Sequence, residues 1–251
     1  MRKRGKAMAN IIEVSFRTYK KNLRLILFFS IAFVIALLIP VFAPFPTYDD
    51  LGSIFIRTGS IYLNLNFIDA MIIVASTMFS LLFLSFAIVA INVMVKHSHT
   101  ATRIRKEVID GLEKYTADVF IVLLLFTALL VLVSFVTYYT GYSGIATLIA
   151  AIVLTPFLFY APTSIVIDDT RIIRAIIHSL RFMEKHFKYF VLWVLVSSAL
   201  LSLVDLIPII GSGSYVSMYV SLVIDSFIVL PFLIVLQSES YIRRFRILSH
   251  T

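Results

Sequence analysis

Cysteine is absent from all 251 residues, which rules out a disulfide framework, a thiolate nucleophile and any Cys-based metal site. Charge is scarce as well: Asp, Glu, Lys and Arg make up 14% of the chain, where soluble domains carry about 25%. Glycine occurs eight times and never inside the long apolar runs, so close helix packing there must use Ala, Ser and Thr instead of GxxxG, as in SSALLS at 197–202 and AAIVLTP at 150–156. There is no Walker loop, no GxSxG, no HExxH and no carboxylate pair with a nearby base. His97 and His99 stand two apart, a spacing that sends them to different faces of a helix and so argues against a metal site. These absences lead us to expect a non-enzymatic protein with no cofactor.

What fills the chain is apolar. Hydrophobic residues make up 60% of it and the mean hydropathy is +0.98, beyond what a water-facing surface tolerates, so the sequence reads as an integral membrane protein. Apolar windows at about 23–43, 67–95, 117–139, 145–167, 189–207 and 216–237 each approach the roughly 20 residues that a helix needs to cross the hydrocarbon layer. The expected fold class is therefore all-α, a polytopic single domain over 1–251 with six transmembrane helices. The basic start MRKRGKAMAN is followed by an apolar run with no small-residue cleavage site, and we read that run as a retained first span.

Six crossings put both termini on one side. The segments 1–24, 96–116, 168–188 and 238–251, which share that side, hold every Lys and Arg except Arg57. Short basic loops stay cytoplasmic, so both termini and both basic linkers are expected inside. Tyr48, Tyr62, Tyr138, Tyr139, Tyr142, Tyr215 and Tyr219 near the outer ends, with Tyr115, Tyr189 and Tyr241 near the inner ones, fit an aromatic belt at each interface.

The basic flanks follow a repeated pattern. A shift of 164 residues lays Ser15, Arg17, Lys21, Leu23 and Arg24 on Ser179, Arg181, Lys185, Phe187 and Lys188, and Ile12 on Ile176. Met8, Ile11, Ile12, Phe16 and Tyr19 form one helical stripe, and Ile173, Ile176, Ile177, Leu180 and Phe187 another, with basic residues opposite. Such helices are predicted to lie along the cytoplasmic interface. The middle linker has a weaker version in Ile104, Val108, Leu112 and Tyr115. The chain thus divides into units 1–96, 97–167 and 168–251, each a basic amphipathic helix feeding an out-and-back hairpin. All three enter in the same direction, a parallel repeat unlike the inverted repeat of many secondary transporters.

Two sets of residues are candidates for function. The intramembrane polar set is Asp69, Asn92, Asp205 and Asp225; of these Asp225 lies near the bilayer centre, where a carboxylate costs about 2.5–3.5 kcal/mol on insertion scales. A polar path through Asp69, Asp205 and Asp225 stands against a packing role for Asp225 with the other two acids solvated. The cytoplasmic basic set is Arg17, Lys20, Lys21, Arg24, Arg174, Arg181, Lys185 and Lys188. Topology and phospholipid anchoring explain most of its charge, and a polyanion or an acidic partner is the alternative.

The S-x-R-x3-K unit before a span, VIDDTRIIRAIIHSLRFMEKHFKYF after the fourth and SYIRRFR after the sixth resemble the six-span membrane domains related to those attached to glycerophosphoryl diester phosphodiesterases. The hydrolase domain of that family is absent from this sequence. The stand-alone, Cys-free, Ile- and Tyr-rich layout with basic inner faces also resembles CedA, the polytopic membrane component of crenarchaeal DNA import. That second resemblance implies a membrane conduit for DNA, working with small membrane subunits and a cytoplasmic ATPase of the HerA/VirB4 kind. Cytoplasmic cations suit DNA phosphates, whereas Asp49, Asp50, Asp69 and Asp205 on the outer side would repel them. Six helices enclose little space, so a DNA pore calls for a homo-oligomer or further subunits. A small-solute or ion transporter using Asp225, and a membrane scaffold, remain open.

Overall fold

The computed structural model describes residues 2–42, 67–98, 104–137, 142–210 and 215–248. Among these residues the regular structure is helical: α1 (Arg2–Lys21), α2 (Leu23–Phe42), α3 (Phe67–Ser98), α4 (Ile104–Thr137), α5 (Ser143–Leu158), α6 (Ala161–Ile167), α7 (Ile172–Ile210), α8 (Tyr215–Ile224), a π-turn (Asp225–Val229) and α9 (Leu230–Leu248). Five helical stretches are long and apolar enough to cross a bilayer, and a sixth is added if α1 and α2, bent by 90° at their junction, count as one. This is the arrangement of a multi-pass membrane protein. The segment carrying Asp49, Asp50 and Arg57, with Tyr48, Tyr62, Tyr138 and Tyr139, lies outside the described residues.

Consecutive long helices pack as neighbours: α2 on α3, α3 on α4, α4 on α5, α5 on α7, and α7 on α8 and α9. The ring closes where α2 meets the π-turn and α1 meets α9. Each basic flank therefore packs on the returning helix of the unit before it, α4 on α3, α7 on α6 and α1 on α9, the last joining the third unit to the first. The returning helices α3, α6 and α9 also touch one another, at the end of the bundle that carries the basic linkers, here called the basic end. Their terminal turns are buried there: Ala87 and Val89–Val95 of α3, Ala161–Val166 of α6, and Leu233–Leu236 and Ser238–Tyr241 of α9. Away from this end much apolar surface is uncovered, including Phe135, Val136, Leu148, Ile152 and Ile209, as expected of side chains whose solvent is lipid.

Two bends fall 164 residues apart, the shift read from the sequence. α1 turns into α2 at Asn22, and α7 has a single non-helical residue, His186 (φ −127°, ψ 30°); the 164-residue shift lays the first on the second. At Asn22 the ladder is kept by its N–H reaching the Thr18 and Tyr19 carbonyls, both at 3.2 Å, while its side-chain Nδ2 donates to the Thr18 carbonyl at 3.0 Å. At His186 the ring lies nearly parallel to Tyr189, 5.8 Å between centroids, and packs on Phe182. The middle unit differs, because α4 continues unbent from its basic start into its apolar part.

The amphipathic faces differ from the predicted stripes in one respect. Ile11 and Tyr19 are buried, but Phe16 is 59% exposed; the face of α1 that packs on protein is Ile11, Ser15, Thr18, Tyr19 and Asn22. In α7 the packed face is Ala175, Ser179, Phe182 and Met183, while Ile173 (75%), Ile177, Leu180 and Phe187 (55%) stand exposed. Each helix thus has three faces: one against protein, one apolar and uncovered, and one charged. The Met8 side chain is outside the described residues. Val108 and Tyr115 of the middle stripe are buried and Leu112 half-buried. There Gly111 lets α4 approach α3 closely, since a Cβ at that position would lie 2.6 Å from Val93 Cγ2.

Proline shapes two returning helices. Pro231 offers no N–H to the carbonyl one turn back, and Tyr19 Oη fills the gap, donating to the Phe227 carbonyl at 3.0 Å. Between α5 and α6 the Tyr160 N–H does not reach the Pro156 carbonyl; instead it donates to Ser179 Oγ at 3.0 Å, and Ser179 Oγ donates to Pro156 O at 3.0 Å. The α7 hydroxyl thus bridges the broken ladder. Ser15, which occupies the matching place in α1, is fully buried with its Oγ unpaired.

Candidate functional site

A polar hub occupies the basic end. Five successive α9 residues, Gln237–Tyr241, point around the helix axis 100° apart, and four of them bond to other parts of the chain. Gln237 Nε2 donates to the Phe159 carbonyl at the α5–α6 break at 2.5 Å, and Ser238 Oγ donates to Asn92 Oδ1 of α3 at 2.7 Å. Glu239, only 2% exposed, accepts from Thr18 Oγ1 of α1 at 2.7 Å. Ser240 Oγ returns to the Leu236 carbonyl, and Tyr241 Oη donates to Asp168 Oδ2 at 2.6 Å. A helix buried on every side must satisfy every polar group from its neighbours, so these residues tie all three units to α9.

Asp168 is the second node. It caps α6, and Asp169 after it adopts a left-handed conformation (φ 52°) that ends the helix, a role more often taken by Gly. The Asp168 side chain is 7% exposed, and Oδ2 receives Tyr241 Oη, Ser164 Oγ at 3.2 Å and His178 Nδ1 at 3.0 Å. A carboxylate oxygen only accepts, so Nδ1 is the protonated ring nitrogen. Ser164 Oγ lies 3.4 Å from that same Nδ1. Serine and aspartate thus share one nitrogen, whereas a hydrolase triad needs them on opposite ring nitrogens; the geometry holds α6, α7 and α9 together and does not activate the serine.

Beside this node, Lys96 Nζ donates to the Val166 carbonyl at 2.6 Å, a cation at the C-terminal end of α6 where free carbonyls gather. Lys96 and Lys114 both approach the Tyr115 ring, at 5.7 and 5.0 Å. Lys114 binds Asp169 at 2.7 Å, and that ammonium holds the Asp169 carboxyl below its usual range; an exposed pair of this kind contributes little stability. A cavity of about 170 Å³ opens between α3 and α4, lined by Lys96, His97, Glu107, Asp110, Lys114 and Tyr115. Its mixed signs leave no net preference for a cation or an anion. Among the described residues no group of three His, Asp or Glu side chains could hold a metal ion.

The residues singled out from the sequence separate into three places. Asn92 is fully buried and belongs to the hub. Asp225 opens the π-turn with its Oδ1 buried and unpaired, and Asp205 stands exposed near the end of α7. Asp69 lies in the first turn of α3, its side chain outside the described residues. All eight basic candidates, Arg17, Lys20, Lys21, Arg24, Arg174, Arg181, Lys185 and Lys188, are exposed on α1, α7 and the start of α2; Arg17 pairs with Glu13 at 2.9 Å. Glu239, Asp168 and His178 were not among the candidates, because they fall in segments read as basic flanks, and Tyr241 was placed only in the inner aromatic belt. The run of four polar or aromatic residues at 238–241 directly after an apolar span was the available signal.

No family model, curated protein or solved structure matches this chain. Its function must therefore be argued from its own residues.

Proposed function

We propose that the protein is a non-enzymatic membrane subunit with cytoplasmic termini, acting as a conduit or scaffold component, most specifically in DNA import driven by a separate ATPase. One observation carries this reading: the charged faces of α1 and α7 bear Arg17, Lys20, Arg174 and Arg181 in exposed positions, apart from the apolar faces of the same helices. Cations that are neither buried nor spent on the hub can meet DNA phosphates or the acidic surface of a motor. The returning helices are packed against each other at the basic end, so a passage for DNA would form between copies or with the small membrane subunits that the CedA resemblance implies.

Two measurements test it. Deletion is expected to abolish recipient function in a DNA-exchange assay, and normal uptake by the deletion strain rejects the reading. Reversal of Arg17, Arg174 and Arg181 to Glu, at unchanged membrane levels, is expected to lower uptake about tenfold, equivalent to roughly 1.4 kcal/mol of lost binding.

A transporter is the second reading, favoured by the unpaired buried Oδ1 of Asp225 in a π-turn, an element that recurs at functional sites. It expects Asp225→Asn to change proton- or ion-coupled flux in proteoliposomes. Unchanged flux leaves Asp225 a packing residue.

A further inference from the structure

We infer that the two bends are paired binding sites for anionic phospholipid headgroups, one at Lys21-Asn22-Leu23-Arg24 and one at Lys185-His186-Phe187-Lys188. In each, a buried or half-buried residue at the bend is followed by an exposed apolar side chain, and a cation stands on either side of that pair. Lys21, Arg24, Lys185 and Lys188 are all exposed; Leu23 is 39% and Phe187 55% exposed.

The combination selects lipid over other polyanions. A strand of DNA would meet the cations but leave Leu23, Phe187, Phe16 and Ile173 in water. An anionic lipid covers both, its acyl chains against the apolar side chains and its phosphate between the cations. The 90° turn at Asn22 sets α1 across the direction of α2, so the bend is the level at which the chain passes from the interface into hydrocarbon, where phosphates lie. Charge is complementary at both sites: the only acids on the adjoining turns are Glu13, already paired with Arg17, and Glu184. The middle unit departs from this pattern. α4 has no bend, and around its exposed Ile109 the start of the helix mixes Arg105, Lys106 and Lys114 with Glu107, Asp110 and Glu113, so among the described residues the two bends alone combine these features. This holds whether or not the protein imports DNA, because it uses the cations at the bends and not Arg17, Arg174 or Arg181.

The chain has a single tryptophan, which makes a direct test feasible. In a Trp193→Phe background, Leu23→Trp, Phe187→Trp and, as the control, Ile109→Trp on exposed α4 surface are placed in nanodiscs containing dibrominated phosphatidylglycerol or dibrominated phosphatidylcholine at equal mole fraction. Quenching at Leu23→Trp and Phe187→Trp is expected to show about fivefold enrichment of the anionic lipid, the scale for a basic residue near an anionic surface. Ile109→Trp should show none. Lys21→Gln with Arg24→Gln, and Lys185→Gln with Lys188→Gln, should each remove the preference at their own bend and keep it at the other. On the otherwise unaltered protein, the same glutamine pairs should lower the phosphatidylglycerol retained through detergent purification.

Equal quenching by the two lipids at the bends overturns the inference. So does a preference as strong at Ile109→Trp, or a charge-dependent response of the bend tryptophans to duplex DNA in phosphatidylcholine alone, which would assign the cations to nucleic acid.

Discussion

Asp168→Ala is expected to lower the thermal unfolding midpoint in detergent by about 6–12 °C, the shift that corresponds to about 3 kcal/mol in a chain of this length. The substitution removes an oxygen that receives Tyr241 Oη, Ser164 Oγ and His178 Nδ1. His178 is partly exposed and can turn to water, so its loss is small. Tyr241 is fully buried between Tyr160 and Phe182 and cannot turn to water, and loss of a hydrogen bond from a buried donor costs about 1–3 kcal/mol. Asp168→Asn keeps an acceptor and should lose less. Because the two groups form one contact, Asp168→Ala combined with Tyr241→Phe should cost less than the two single changes added together. A midpoint for Asp168→Ala equal to that of the unaltered protein would show that the node does not hold the basic end together.

Gly111→Leu is the second large effect, and its cause is steric. Even a Cβ at this position would lie 2.6 Å from Val93 Cγ2, and Val93 is buried and β-branched, with little rotamer freedom in a helix. Overpacking costs about 1–3 kcal/mol, and here α4 must move away from α3 to admit a full side chain, so the upper end applies. The roughly 1 kcal/mol that leaves with a helical glycine offsets part of it. Val93→Ala in the same chain should restore much of the loss. Gly144 supplies the control: nothing lies within 4 Å of a Cβ there, so Gly144→Leu should leave the midpoint unchanged or raise it. Equal behaviour of the two glycines in the thermal scan would refute the close approach of α3 and α4.

Hydropathy alone marked Gly111 as a linker residue, and so its packing role was hidden. The same blindness covered the hub. Ser238, Glu239 and Ser240 look like the polar start of a tail, yet they are among the most buried residues in the chain. Polarity reports the solvent a residue prefers, and at the basic end that preference is met by neighbouring side chains in place of water. The bends were legible in part. The shift that pairs Ser15 with Ser179 also pairs Asn22 with His186, but nothing in the composition of either residue announces a break in helical φ and ψ.

The sequence by itself determined the medium, the presence of several long apolar segments and the grouping of cations at their flanks, because transfer of side chains between water and hydrocarbon depends on each residue's own chemistry. Only the tertiary structure decided which apolar faces meet protein and which stay uncovered. Lipid and a protein core are equally apolar, so a periodic stripe reads the same in either setting, and Phe16 and Ile11 could be told apart only after α1 had packed on α9. It decided, too, that α1 closes the third unit onto the first and that Asp168, Glu239 and Asn92 meet around α9. Those contacts join residues from distant parts of the chain, and their hydrogen-bond geometry exists only once the helices have docked.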